Sequence, residues 1–293
     1  MPAILAFPPR NGRDETTENA LCYRAGKLRR HSIGGWHIEG KEMRVNLSDS
    51  GPSPDGPTQL PQSSSNFLWI VVAVTFPSTV TWLYFVVLAD VQPIAQASYA
   101  VGKMMQFAMP VIWLVLVARE KVRLPQLKSN AYRLGLLFGV GVALTMIVLF
   151  ELAFLGQPWF SSAESEIGTK ISQMGVNTLP RFVMLALFYA AFHSLMEEYY
   201  WRWFVFRRLM PSWNTGLAIL VSSLGFMAHH VILLAQYFGP TAPFTYIAAV
   251  GVAIGGAFWA WLYTRCDSLG PSWLSHAMID AAIFVIGYRI AFA

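Results

Sequence analysis

The sequence predicts an all-α fold: a polytopic membrane bundle of about seven to eight transmembrane helices behind a disordered N-terminal tail. Three observations lead there. Hydrophobic residues make up 55% of the 293 positions and charged residues 13%, about half the ~25% charged fraction of soluble domains. From Phe67 onward, apolar runs of about 20 residues alternate with short polar breaks, the length that crosses a bilayer as helix. Charge is gathered at the front, where residues 1–66 hold fifteen of the thirty-seven Asp, Glu, Lys and Arg residues.

Residues 1–66 mix charge with Gly and Pro, then turn Ser/Pro/Gly-rich from Ser48 to Ser65. Such a composition buries too little apolar surface to offset ordering entropy, so a disordered cytoplasmic tail is expected. Its start lacks a long apolar core after a basic stretch, and no cleaved signal peptide is expected. The transmembrane domain, residues 67–293, divides into spans at 67–91, 99–118, 134–155, 181–209, 215–237, 244–264 and 271–293. Pro77 should kink the first span. A weaker segment, 161–173, reads as an amphipathic helix on the surface. Arg119, Lys121, Arg123, Lys128 and Arg133 follow the second span, which sets that loop inside and the N-terminus in the cytoplasm. The expected location is the cell (inner) membrane, multi-pass.

Composition also removes function classes. The net charge of +5 reads as loop charge that orients the spans, and no nucleic-acid partner is expected. Cys22 and Cys266, the two cysteines, are too few for a disulfide framework or a thiolate metal site. Gly251, Gly255 and Gly256 suggest close helix packing. Belts at the membrane interface are the default for Trp201, Trp203, Trp259 and Trp261, cavity walls the alternative.

The fourth span contains Glu197-Glu198-Tyr199-Tyr200-Trp201-Arg202. Carboxylates at membrane depth cost a few kcal/mol each, so a chain that keeps two has a use for them. Glu198 and Arg202 are four apart on one helical face, with the acid first, the better order for an ion pair. Glu197 points about 100° away and is left to act as a general base on water; Arg202 holding both carboxylates is the alternative. The fifth span holds Phe226-Met227-Ala228-His229-His230. Adjacent histidines face different ways, so one at most should readily reach a shared site. The seventh span opens with Pro at its start and then sets His276 and Asp280 four apart, where the carboxylate can orient the imidazole. His193, one turn before Glu197, either tunes that carboxyl or packs structurally. Asp90, Lys103 and Glu151 fall near span ends, where snorkelling accounts for them.

Glu-Glu-x-x-x-Arg at 197–202, Phe-x-x-x-His at 226–230 and His-x-x-x-Asp at 276–280 together resemble the three signature motifs of the CPBP family. These are the type II CAAX prenyl endopeptidases and their bacterial relatives, including bacteriocin-processing and self-immunity proteins. The resemblance covers about residues 180–290. It implies an intramembrane endopeptidase in which Glu197 and His230 activate the hydrolytic water. His276 and Asp280 would stabilise the oxyanion, and Glu198 and Arg202 would support. Where the family often has Asn, this chain has Asp280. An ionised Asp repels an oxyanion, so Asp280 either stays protonated through burial or accepts from His276 and keeps it a charged donor.

The implied partners are a membrane-associated protein or peptide substrate and the lipid bilayer. The preferred reading needs no cofactor, because the zincin spacing His-Glu-x-x-His is absent; zinc held by the two histidines and a carboxylate is the alternative. A non-proteolytic membrane adaptor or immunity protein and a proton-coupled transporter are the competing functions. One tension remains at this level. At 1.5 Å per residue, Glu197, His230 and His276 lie ~15, ~24 and ~8 Å from their cytoplasmic helix ends, although they must meet.

Overall fold

A computed structural model describes residues 62–119, 121, 127 and 129–292. The expected disordered tail lies outside the described residues, except that the first helix begins at Gln62, inside it. The fold is all-helical. Helix α1 (Gln62–Trp82) continues into a π turn at Leu83–Val87. α2 (Gln92–Ile112) does the same at Trp113–Val117, and α3 (Tyr132–Leu149) at Phe150–Phe154. α4 is the short Ser161–Gln173, with the bounds expected for the surface helix. α5 (Leu179–Leu209), α6 (Thr215–Phe238), α7 (Pro243–Cys266) and α8 (Gly270–Phe292) complete the chain. All but α4 are long and apolar enough to cross a membrane, giving seven candidate spans among the described residues.

Local chemistry accounts for the helix ends. Asn214 caps α6, its side chain accepting from the Leu217 amide at 2.9 Å, a favoured N-cap arrangement. Pro243 pre-sets the first turn of α7. That helix stops at Asp267, whose φ of 46° is left-handed, a conformation Asp tolerates better than most residues. Outward side chains such as Leu152, Met184 and Ile247 are 80%, 67% and 66% exposed. With bilayer as solvent these form the lipid-facing surface.

The second half of α5 runs through the interior of the bundle. Residues 200–206 are buried without interruption, so this stretch is surrounded on every side. Tyr200, Trp201, Phe204, Phe226 and Trp259 form its packed core. Burial of Trp201 (0%), Trp203 (7%) and Trp259 (3%) sets aside the interface-belt expectation for those three. Within α5, π-helical stretches at Phe188–His193 and Tyr199–Phe206 flank the α-helical turn Ser194–Glu198. Irregular turns of this kind cluster at functional sites.

Gly256 does pack closely, a Cβ there lying 3.5 Å from Ser223 Cα on α6, but the tighter helix contact lies elsewhere. A Cβ on Gly251 would meet nothing within 4 Å, whereas one on Gly139 would lie 2.9 Å from Ser275 Cα and O. Gly135, one turn earlier, presses on the Pro271 carbonyl. This small-xxx-small pair lets α3 and α8 approach backbone to backbone. The connection into α8 is sunk in the bundle as a result, with residues 268–272 buried. His276 therefore lies deeper than its position along α8 suggests, while the first residues of α6 are exposed and project outward. Both features run in the direction that brings the three residues together.

Candidate active site

The sequence-predicted residues meet. Glu198, fully buried, is ion-paired with Arg202 Nη1 at 2.9 Å and hydrogen-bonded with His276 Nδ1 at 2.9 Å through the same oxygen, Oε1. The helical spacing of four thus delivers the expected pair, and an imidazole from α8 completes it. Arg202 also lies against the Phe226 and Trp259 rings, 4.7 and 4.9 Å from their centroids, where the ring faces attract a cation. Its Nη2 reaches the Gly256 carbonyl at 3.3 Å. A side chain on Gly256 would intrude on that nitrogen, so this glycine clears space for the guanidinium.

Glu197 is arranged differently. It is 3% exposed and ringed by nitrogen at a longer range. His229 Nε2 lies 3.6 Å away, Lys103 Nζ 3.8 Å, His193 Nε2 3.9 Å, and His276 Nε2 3.8 Å from the second oxygen. None is at hydrogen-bond distance, which runs to about 3.2 Å for N–H···O. The carboxylate is held in a cationic and imidazole cage without being consumed by a direct partner.

His230 directs Nδ1 to the Phe226 carbonyl at 2.9 Å. An N–H there leaves Nε2 with its lone pair, because a neutral imidazole carries one donor and one acceptor. His229 and His230 both reach the carboxylate: one ligand atom from each of Glu197, His229 and His230 lies within 4.8 Å of the others. The expectation of a single facing histidine is corrected. Their rings are 4.2 Å apart, and long imidazoles swing together across an angle that separates their Cα–Cβ bonds. Asp280 Oδ1 stands 3.6 Å from His276 Nε2, and Trp259 stacks on His276 at 4.3 Å while donating to Ser275 Oγ at 3.0 Å.

Three neighbours of Glu197 were missed or underread. Lys103 is no snorkelling side chain: 12% exposed, it turns inward from α2 to the carboxylate. His193 was visible by its i, i+4 spacing to Glu197. His229 lies next to a motif residue. Glu151 does sit at the helix end, where it accepts twice from Arg289 at 2.8 and 3.2 Å.

The donors Glu197, His229 and His230 fit a metal ion in kind, two imidazoles and a carboxylate, the ligand types of catalytic zinc. The His230 Nδ1 contact to a backbone carbonyl is also how metal-bound histidines are commonly oriented.

Residues 179–282 match a family model described as type II CAAX prenyl endopeptidase Rce1-like. This segment is Rce1-like. It runs from the start of α5 into α8 and carries Glu197, Glu198, Arg202, His230, His276 and Asp280. Lys103 and all of α1 to α4 lie outside it. The Rce1-like family implies a membrane protease and hence a protein substrate. No curated protein and no solved structure matches the chain.

Proposed function

We propose that the protein is an intramembrane endopeptidase that hydrolyses a peptide bond of a membrane-associated protein by glutamate-activated water. The observation that carries this reading is the contrast between two adjacent carboxylates. Glu198 is engaged at 2.9 Å by Arg202 and His276, while Glu197 has four nitrogen neighbours that all stop at 3.6–3.9 Å. Without a partner at hydrogen-bond distance, the Glu197 oxygens are left to accept from a water that also donates to the free Nε2 of His230.

In this mechanism Glu197 takes a proton from the water as its oxygen attacks the scissile carbonyl carbon. The C–O bond forms, the carbonyl π pair moves to oxygen, and the resulting oxyanion accepts from His276 Nε2–H. Three carboxylates, Glu198, Asp280 and Glu197, face His276, and they favour the doubly protonated imidazolium that this donation needs. Asp280, 3.6 Å from Nε2, acts here on His276 through space, since both ring hydrogens are already engaged. Collapse breaks the C–N bond, and Glu197 returns its proton to the departing amine.

A second reading is favoured by the donor set at Glu197, His229 and His230. Those residues would hold zinc, which when bound would polarise the water. The same residues then serve as ligands and orienting groups.

The test compares wild type with Glu197→Gln in membranes, scoring membrane proteins for a truncated product. Cleavage should fall by about 10²–10⁴-fold, the usual worth of a general base, with the fold retained. Undiminished cleavage would remove Glu197 from the reaction, and absence of any truncated product in wild type would leave the adaptor and transporter readings standing instead.

A further inference from the structure

The surroundings of Glu197 are not symmetrical along α5. Toward Arg207 and Arg208 every residue from 200 to 206 is buried, and Leu209, Leu262 and Leu269 add a 0–1% exposed layer. Among the described cavities, one of about 110 Å³ lies on that face, lined by Trp69, Ala73, Trp113, Phe204, Arg208 and Ser212. Its wall residue Ala73 accepts from the Tyr200 hydroxyl. Along α5, Tyr200 and Trp201, both 0% exposed, lie between Glu197 and the lining residue Phe204.

The opposite face is open by comparison. His193, Lys103, Asp280 and His230 are all partly exposed there. Beyond them lies a cavity of about 170 Å³ between the ends of α1 and α6 and the helix α4, walled by Tyr84, Glu166, Thr169, Lys170, Gln173 and Tyr237. A water takes about 30 Å³ of liquid, so this space admits several waters or one side chain. A series of side-chain contacts links its wall to the carboxylate. Tyr84 packs on Tyr99 at 4.8 Å, Lys103 sits 5.6 Å over the Tyr99 ring, and Lys103 Nζ is 3.8 Å from Glu197. Tyr189 on α5 packs on His193 at 4.8 Å.

We infer that the substrate chain and its water reach Glu197 from the α4 face, through the cavity walled by Tyr84, Lys170 and Tyr237. This rests on the peptidase reading for its substrate. Tyrosine hydroxyls, amides and a Lys–Glu mouth offer hydrogen bonds of both kinds, the surface that suits an extended polar peptide rather than an acyl chain.

The experiment narrows each face with exposed positions outside the catalytic cluster. Thr169→Trp with Gln173→Trp fills the α4 cavity, and Ser212→Trp fills the other. The first readout is Glu197-dependent cleavage. The second needs no catalysis: in a background of Cys22→Ser and Cys266→Ser, His193→Cys is labelled with a charged, water-soluble thiol reagent. The α4 pair should lower kcat/KM and the labelling rate about tenfold, with Ser212→Trp within about twofold of its parent in both, since access limits each rate. Labelling undiminished by the α4 pair, or slowed by Ser212→Trp, overturns the proposal. Absence of Glu197-dependent cleavage in the parent sinks the peptidase reading alone, and labelling still decides the route.

Discussion

The hydroxyl of Tyr200 donates to the backbone carbonyl of Ala73 at 2.7 Å. That carbonyl is the one Pro77, four residues on within α1, cannot serve, because proline has no amide hydrogen. Both groups are buried, and α5 thereby repairs the broken ladder of α1. Tyr200→Phe should destabilise the protein by about 1–3 kcal/mol, the cost of an orphaned buried acceptor. Pro77→Ala in the same chain should recover part of the loss by restoring the amide. Detergent-solubilised unfolding of the two single variants and the double variant measures it.

Glu198 and Arg202 are buried to 0% and 2% exposure, so neither charge survives alone without cost. Glu198→Gln should destabilise the fold by about 3–5 kcal/mol, as expected when one partner of a buried pair goes. Glu198→Gln with Arg202→Met should be less destabilised than the sum of the single variants. A thermal-unfolding double-mutant cycle tests the coupling; additive losses would contradict it.

Gly139 meets the backbone of Ser275, the residue before His276. A methyl group there must push α8 away from α3 and carry His276 with it. Displacements near 1 Å at a reacting centre can cost about 10²-fold, so Gly139→Ala should lose activity well beyond its effect on stability. Gly141→Ala, whose Cβ meets nothing within 4 Å, should behave as wild type in the same cleavage assay.

Lys103 places a cation 3.8 Å from Glu197 from a helix outside the Rce1-like segment. Lys103→Met should lower kcat by about tenfold or more through lost electrostatic organisation, with Lys103→Arg closer to wild type. Equal kcat for Lys103→Met and wild type would remove Lys103 from the site's electrostatics.

Chelation separates the two hydrolytic readings. Under the glutamate mechanism, exhaustive chelator treatment leaves cleavage unchanged. Under the zinc reading, activity is lost, returns on adding Zn²⁺, and fails to return in His229→Gln. Metal content of the purified protein, measured by emission spectroscopy, gives the readout independent of turnover.

The spans were legible because hydropathy at bilayer length needs no tertiary information. The Glu198–Arg202 and His276–Asp280 spacings were legible because a helix puts every fourth residue on one face. Lys103, His229 and the stacked Trp259 were not, since the helical period tells which residues share a face and says nothing of which face another helix meets. Gly251 and Gly139 look alike in sequence; only packing against α8 distinguishes them. The tryptophans mislead for a related reason: an amphipathic ring suits a headgroup layer and a buried cage equally well.

The winding of α5 bears on how this chain is laid beside its relatives. Its π-helical stretch at Tyr199–Phe206 closes i→i+5 rings, so it accommodates about one residue more per turn than ordinary helix. A relative wound regularly after its paired glutamates would be one residue shorter there, with matching residues on either side. Aligning the two requires a gap inside the span, directly behind Glu198, where alignment practice ordinarily forbids one.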